Sequence, residues 1–520
     1  MLFKCYCASC VGIEAVTVTV EVDLSNGVGL RIVGLPDNAV KESLMRVVAA
    51  LTGYGFRLPG RRILINLAPA DIRKEGSSYD LAIAIGMLAV SEQISAPLGG
   101  DYLLLGELAL DGRLRPVPGA LPIAVHAREA GFRGCIFPRE SAMEAVDLEG
   151  LEIYGVETLA QVIDILSGER DLRECLMRRE SVPEPFLRHG PDFREVKGQP
   201  AAKRGLEIAA GGGHNLVLIG SPGSGKTMMA SCLPSILPPM SREESVETSK
   251  IYSVCGCSIG RSGLMRERPF RTPHHSASLV SLIGGGALAH PGEISLAHNG
   301  VLYLDELTLF PRSILDALRQ PLEDGRVTIS RVRYKVTYPA SFMLIASMNP
   351  CPCGYYGDGT ARCHCTPQQI ATYMARISGP LMDRLDMHIQ CDNVAAEELM
   401  GGVDEEPSAV IADRVMRARE IQLARFRDES ARRPNGEGLF TNAQMDAAML
   451  RRYCALGPRE TTFLTDAIRK LNLSARAYSR ILKLARTIAD LAGSPDITLS
   501  HLSEAIRFRS LDRLTDLLYR

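Results

Sequence analysis

Polar and apolar residues alternate from Glu14 to Asp23, the period of a strand with one face on a core. Arg31–Val33 and Arg62–Asn66 read as further strands, and helical spacing runs from Asp37 to Leu51 and from Tyr79 to Val90. This interleaving predicts an α/β sandwich over about residues 1–175. A charged stretch from Ser167 to Arg194, broken by Pro183, Pro185 and Gly190-Pro191, predicts an exposed linker centred on 176–191.

The pattern then changes. Asn215–Ile219, Gly300–Leu304 and Ser341–Met348 are short, continuous apolar runs, as expected of parallel strands buried on both faces. They define an α/β domain over 192–395. From 396 to 520 the spacing is helical, at Ser408–Phe426, Asn442–Tyr453, Arg459–Leu471, Arg476–Leu491 and Leu499–Phe508. In Arg476–Leu491, Tyr478, Ile481, Leu482, Ala485 and Ile488 fall on one face, so a helical lid with apolar core stripes is expected.

Composition narrows the class. Hydrophobic residues make up 46% of the 520, aromatics 5%, with no Trp, as in a globular chain with aliphatic cores. The net charge of −1 confines any nucleic-acid surface to a local patch. No apolar run reaches the length of a membrane span, and the first residues lack a signal-peptide pattern, so a cytoplasmic protein is expected. In that compartment the 14 cysteines should be thiols or metal ligands. Cys5, Cys7 and Cys10 sit in a strand-like start and read as strand and turn residues.

The strongest chemical signal is Gly220-Ser221-Pro222-Gly223-Ser224-Gly225-Lys226-Thr227, a phosphate loop between an apolar strand and a helix start. Gly223 and Gly225 allow backbone amides to turn around phosphate oxygens, Lys226 reaches the β- and γ-phosphates of ATP, and Thr227 offers a hydroxyl to Mg²⁺. The strand at 300–304 ends in Asp305-Glu306. Asp305 is suited to hold Mg²⁺ and Glu306 to orient and deprotonate the attacking water. Asn349, at the end of the third run, would sit between the other two strand ends and touch the γ-phosphate or its water.

Cys351, Cys353, Cys363 and Cys365 form two CxC pairs in a glycine-rich loop, a set suited to tetrahedral Zn²⁺, with His364 as a substitute ligand. The loop begins two residues after Asn349 and is expected to stiffen the link between that residue and a subunit surface. A further hairpin alternates around Arg331, Arg333 and Lys335. These cations either grip DNA phosphates or solvate an exposed turn.

Several segments carry resemblances. Lys74–Ala84 and Gly106–Gly119 are similar to the proteolytic domain of Lon, a fold also seen in ribosomal protein S5. Ser78 stands at the nucleophile's place, but Tyr79-Asp80 replace the small residues behind it, and Ala120-Leu121-Pro122 occupy the place of the lysine base. A serine without its base is not activated. The expectation is the fold without peptidase activity, with Ser78 as a helix cap or packing residue.

The three strand ends resemble AAA+ ATPases. Arg268–Ser276, Gly284–Gly286, Pro291–Leu307 and Leu322–Arg331 resemble the magnesium-chelatase I-subunit and MCM clade. With the Lon-like domain in front, the whole arrangement is similar to the ComM (YifB) family. That resemblance implies a homo-hexameric ring driving ATP-dependent branch migration on DNA while transforming DNA is integrated, alongside recombination proteins. It also implies that Arg384, in Leu381–Asp386, is an arginine finger for the neighbouring subunit. Arg476, in Ser474–Ala477, would contact phosphates in cis, and the Arg331–Lys335 tip would face the pore. The rival reading is a protein-remodelling or chelatase-type motor subunit.

Overall fold

The computed structural model describes residues 2–168, 173–178, 190–257, 263–286, 289–330, 335–359, 361–393, 405–431, 438–471 and 473–509. Most of the expected linker, and Arg331 and Arg333 at the hairpin tip, lie outside the described residues.

The N-terminal domain is built on a seven-stranded mixed sheet of order β3-β4-β2-β1-β5-β6-β7. Its strands are β1 (Leu2–Val11), β2 (Glu14–Ser25), β3 (Gly29–Val33), β4 (Arg62–Ala68), β5 (Tyr102–Leu104), β6 (Gly134–Pro138) and β7 (Glu152–Val156). Alternation sends Val18, Val20 and Val22 of β2, with Cys5 and Cys7 of β1, to one face, where α1 (Asn38–Gly53) and α2 (Asp80–Val90) cover them. Ala8 faces the other way, against α3 (Ala120–Glu129). The Cys5 and Cys7 side chains are fully buried, and burial pushes the Cys5 thiol up to about 12.

Of the two roles expected for Ser78, helix cap or packing residue, the cap is not seen. Ser78 does not cap α2, which starts at Asp80 after Tyr79 in helical backbone with no side-chain cap. The neighbouring polar groups are engaged elsewhere. Asp80 accepts a bidentate pair from Arg46 at 2.9 and 3.1 Å and an N–H from Leu108, while Ser77 donates to Glu107. Ser78 lends only its carbonyl, to the Gly106 N–H at 3.0 Å.

The central domain is a five-stranded parallel sheet of order β9-β10-β13-β8-β14. Its strands are β8 (Leu216–Gly220), β9 (Phe270–Arg271), β10 (Val301–Leu304), β13 (Met343–Met348) and β14 (Met387–Cys391). All residues of β8, β10 and β13 are buried, which explains their unbroken apolar runs. Between β10 and β13 the hairpin β11 (Arg326–Ser330) and β12 (Lys335–Pro339) pairs Ser330 with Lys335. Val327, Ile329, Val336 and Tyr338 point into the core, and Lys335 is exposed. Arg268, just before β9, and Arg271, within it, close bidentate pairs with Glu244 and Glu293.

The domains share a packed boundary. Helix α7 (Arg242–Val254) lies against α3, and the β1–β2 turn at Gly12 and Ile13 packs on Val336 of the hairpin. At the C-terminal side, α8 (Ser408–Ala431), α10 (Ala475–Leu491) and α11 (Leu499–Arg507) surround α5 (Pro200–Gly212) in one core with β8 and β14. Two details differ from the helical pattern. Asn442–Tyr453 breaks into two pieces because Asp446 caps a new helix, accepting from the Ala448 and Met449 N–H groups. Tyr478, in the first turn of α10, is 41% exposed, while Ile481, Leu482, Ala485 and Ile488 are core. Among the described residues no helix is long and apolar enough to cross a membrane.

Candidate nucleotide pocket and cysteine cluster

Strand β8 brings the chain to Gly220 beside the end of β14. A side chain there would meet the Cys391 carbonyl at 2.4 Å, so glycine is required. Gly223 and Gly225 both take φ of 82°, the left-handed turn that lets loop amides converge on an anion. Helix α6 (Lys226–Cys232) follows at once. Lys226 Nζ is held by the Gly220 and Ser221 carbonyls, each at 2.8 Å, and lies 3.4 Å from Asn349 Oδ1. Burial lowers its pKa.

Parallel pairing of β8, β13 and β10 sets the three strand ends side by side. Thr227 donates its hydroxyl to Asp305 Oδ2 at 3.1 Å, the pair needed to share a divalent cation. Asp305 Oδ1 accepts from the Tyr303 hydroxyl at 2.9 Å, from the Ser347 hydroxyl and from the Glu306 N–H. Glu306 itself has φ of 53°, a rare conformation for a side-chain-bearing residue, and it is exposed.

The expected loop and strand-end residues Ser221, Pro222, Ser224, Lys226, Thr227, Asp305, Glu306 and Asn349 therefore meet at one edge of the sheet. Sequence reasoning missed Tyr303 and Ser347. Each lies two residues before a chosen strand-end residue, on the same strand face, so a period-2 reading would have found them. It also missed Gln199, whose left-handed backbone aims Nε2 at the Ser224 carbonyl (3.2 Å) and the Asp392 carbonyl (2.5 Å). That places the Gln199 side chain beside the phosphate loop.

The four loop cysteines converge. Their sulfurs lie within 4.8 Å of one another, with Cys351–Cys353 at 3.3 Å, Cys353–Cys363 at 3.6 Å and Cys351–Cys363 at 3.9 Å. Sulfurs around a tetrahedral zinc stand about 3.8 Å apart, so the cage has the right size. Within the set the Tyr355 backbone N–H and the Cys351 thiol lower the Cys353 thiol, while desolvation and the neighbouring thiols raise those of Cys363 and Cys365. Gly354, at φ of 87°, brings this loop onto the phosphate loop. A Cβ there would lie 2.7 Å from the Pro222 ring and 3.8 Å from Asn349.

Arg384 and Arg476 lie elsewhere. Arg384 precedes β14, at the end of the sheet opposite the phosphate loop, and the five residues of β14 span roughly 17 Å. Its guanidinium is 7% exposed, bonded to the Pro380 carbonyl at 2.6 Å and paired with Glu323. Arg476 is 4.0 Å from the same Glu323 carboxylate. The expected cis contact of Arg476 is thereby corrected: its helix starts over Glu323, beside Arg384, not over its own phosphate loop. Both arginines flank a cleft of about 580 Å³ lined by Asn215, Glu323, Arg384, Asp386, Arg480 and Lys483.

At the Lon-like position, Ala120, Leu121 and Pro122 are buried, and helix α7 of the central domain covers them. The Gly119 N–H reaches the Ser253 carbonyl at 3.0 Å, the Leu121 N–H reaches the Ser253 hydroxyl at 3.3 Å, and that hydroxyl donates to Glu144 at 2.5 Å.

A parallel five-stranded sheet with phosphate loop, Asp-Glu and Asn at adjacent strand ends, and a helical lid, defines an AAA+ protein of the magnesium-chelatase type. In agreement, residues 192–399 match the family of magnesium chelatase subunit ChlI, residues 20–141 match the ChlI subunit family of Mg-chelatase, and residues 405–509 match the ChlI C-terminal family. The chain is 44% identical over 508 residues to the uncharacterised protein YifB of Salmonella typhimurium, covering 97% of this chain and 96% of that one. It is 43% identical over 512 residues to the competence protein ComM of Haemophilus influenzae, covering 98% and 97%. Lon protease 2 of Bacillus subtilis is 29% identical over 125 residues, 24% of this chain and 22% of the protease. The chain belongs to the ComM/YifB family, with a Lon-like N-terminal domain ahead of its AAA+ domain.

Proposed function

We propose that the protein is a ring-forming ATPase that drives branch migration of DNA during integration of transforming or recombining strands. The single observation that carries the ring is the separation of Arg384 and Arg476 from their own pocket by the length of the sheet. A finger so placed serves the pocket of the next subunit, and six copies close a ring in which every pocket is shared.

Within one subunit, Lys226 and the loop amides bind the β- and γ-phosphates of ATP. Thr227 and Asp305, the latter fixed by Tyr303 and Ser347, hold Mg²⁺. Glu306 takes the proton of the attacking water, which Asn349 orients. Arg384 and Arg476 of the adjacent subunit stabilise the charge that develops on the γ-phosphate. Cys351, Cys353, Cys363 and Cys365 would hold zinc, which would stiffen the loop that sets Gly354 against Pro222.

The DNA substrate is supported by the 43% identity to a competence protein and by the exposed Lys335 in the last pair before the hairpin turn. In the ring, Lys335 with Arg331 and Arg333 lines the pore and contacts phosphates. The test is ATP turnover with and without a forked DNA. Stimulation that is lost in a combined Arg331→Ala, Arg333→Ala and Lys335→Ala variant, with basal turnover retained, is the expected result. Turnover indifferent to DNA would transfer the motor to a protein substrate.

A further inference from the structure

Strand β8 begins at Leu216, and the residue before it, Asn215, uses every polar group it has. Its backbone N–H donates to Asp386 Oδ2 at 3.0 Å, and its carbonyl accepts from the Asp386 and Met387 N–H groups at 2.9 and 3.1 Å. Its side-chain Nδ2 donates to the Arg384 carbonyl at 3.1 Å, and its Oδ1 accepts from the Leu344 N–H at 2.8 Å. One side chain thus joins the finger segment to β13, the strand that ends beside Asn349. The same residue opens β8, the strand that ends in the phosphate loop.

The surroundings hold this junction in place. Asp386 Oδ1 lies 3.3 Å from Arg480 Nη1, and His214 Nδ1 lies 3.5 Å from Asp386 Oδ2. His214 Nε2 is 2.8 Å from the Thr487 hydroxyl on α10, the lid helix that also carries Arg476. Burial opposes charge on Asp386, but His214, Arg480 and the Asn215 N–H together keep its carboxyl below the usual range. Freeing the Asn215 side chain would cost the Arg384 carbonyl its 3.1 Å donor and the Leu344 N–H its 2.8 Å acceptor, which ties the finger segment to one arrangement.

We propose that Asn215 is a positioning residue for the arginine finger: its side-chain amide fixes the Arg384 backbone against the sheet so that the guanidinium meets the neighbouring subunit's nucleotide. The inference rests on the reading of Arg384 as a finger acting in trans. It predicts an unusual defect, in which a substitution at the mouth of a subunit's own β8 harms the pocket next door and spares its own.

Full-length Asn215→Ala and Asn215→Asp test it. The aspartate keeps an acceptor for the Leu344 N–H and turns the donor to Arg384 into a carboxylate oxygen facing that carbonyl, close to Asp386. Both variants should bind a fluorescent ATP analogue as the wild type does and lose between about ten- and a hundredfold in turnover, the cost of a displaced catalytic group. Each is then mixed in equal amounts with Lys226→Ala, which has an intact finger and a disabled loop. In mixed rings the Lys226→Ala subunit presents its finger to the Asn215 variant's sound pocket, so turnover should rise above the mean of the two separate proteins. Arg384→Ala mixed with Lys226→Ala is the reference. Wild-type turnover of Asn215→Asp, loss of nucleotide binding in both variants, or no rise on mixing while the reference rises, would overturn the positioning role alone. A reference that also fails to rise would overturn the finger in trans, and this inference with it.

Discussion

Lys226 and Ser78 both stand where a loop enters a helix beside a buried sheet, yet only Lys226 is among partners. Around Lys226, three segments deliver Thr227, Asp305, and Ser347 with Asn349 to one strand-end edge, each held by a hydrogen bond. Around Ser78 the polar groups have turned away: Asp80 to Arg46, Ser77 to Glu107. The site of a would-be base is filled by Ala120–Pro122 and covered by a helix of the motor. The contrast teaches that a motif becomes a site only when the topology brings complementary groups to it. In the second region the corresponding place packs against the central domain instead.

The sharpest break of this comparison pairs Glu306→Gln with Ser78→Ala. Removing a general base costs ~10²–10⁴-fold, so Glu306→Gln should all but abolish ATP turnover while leaving nucleotide binding intact. Ser78→Ala should change neither turnover nor DNA-stimulated turnover, and the wild type should not cleave unfolded casein with or without ATP. Casein cleavage lost in Ser78→Ala would erase the difference between the two regions.

A smaller effect is expected at the cysteine cage, which leans on the phosphate loop through Gly354 and Pro222. A Cys351→Ser, Cys363→Ser double variant should fall from about one zinc per chain towards none, measured by atomic emission, because two of four ligands are gone. Its apparent affinity for ATP should weaken, while its N-terminal domain keeps its melting behaviour. Zinc content equal to the wild type's would move the metal elsewhere.

The smallest effect concerns this contact between the domains. Burial pushes the Glu144 carboxyl up to about 7 against an ordinary value of 4.5. The docked state therefore prefers the proton. Its contribution is complete below 4.5, is lost as pH rises through about 7 and is constant above. Glu144→Gln should remove this loss, raising the melting temperature relative to the wild type on the order of 1–2 °C more at pH 8 than at pH 6. Equal differences at both pH values would remove Glu144 from the interface account.

Much of this was legible in the chain. The phosphate loop, Asp305-Glu306 and Asn349 are local patterns whose meaning depends on short parallel strands, and continuous apolar runs announce those. The cysteine cage was legible because its ligands are close in sequence. What escaped depends on long-range geometry. Arg476 was placed in cis because sequence gives no direction to a lid helix; only packing of α10 over Glu323 sets it beside Arg384. Asn215 was read only as the first residue of the apolar run Asn215–Ile219, since its partners at 344, 384 and 386 come from other segments. The cap expected at Ser78 failed for a similar reason, as neighbouring side chains answered tertiary partners instead of the helix end.

The central claim is that ATP turnover at this pocket moves DNA strands. The most direct measurement is strand movement on a synthetic three- or four-stranded junction with labelled arms, using the full-length protein with ATP and Mg²⁺. Lys226→Ala and Glu306→Gln serve as controls. Migration by the wild type alone, absent from both variants, is the predicted result. Strong ATP turnover with no strand movement on any junction would contradict the account, leaving the pocket's chemistry in place and removing DNA as what it drives.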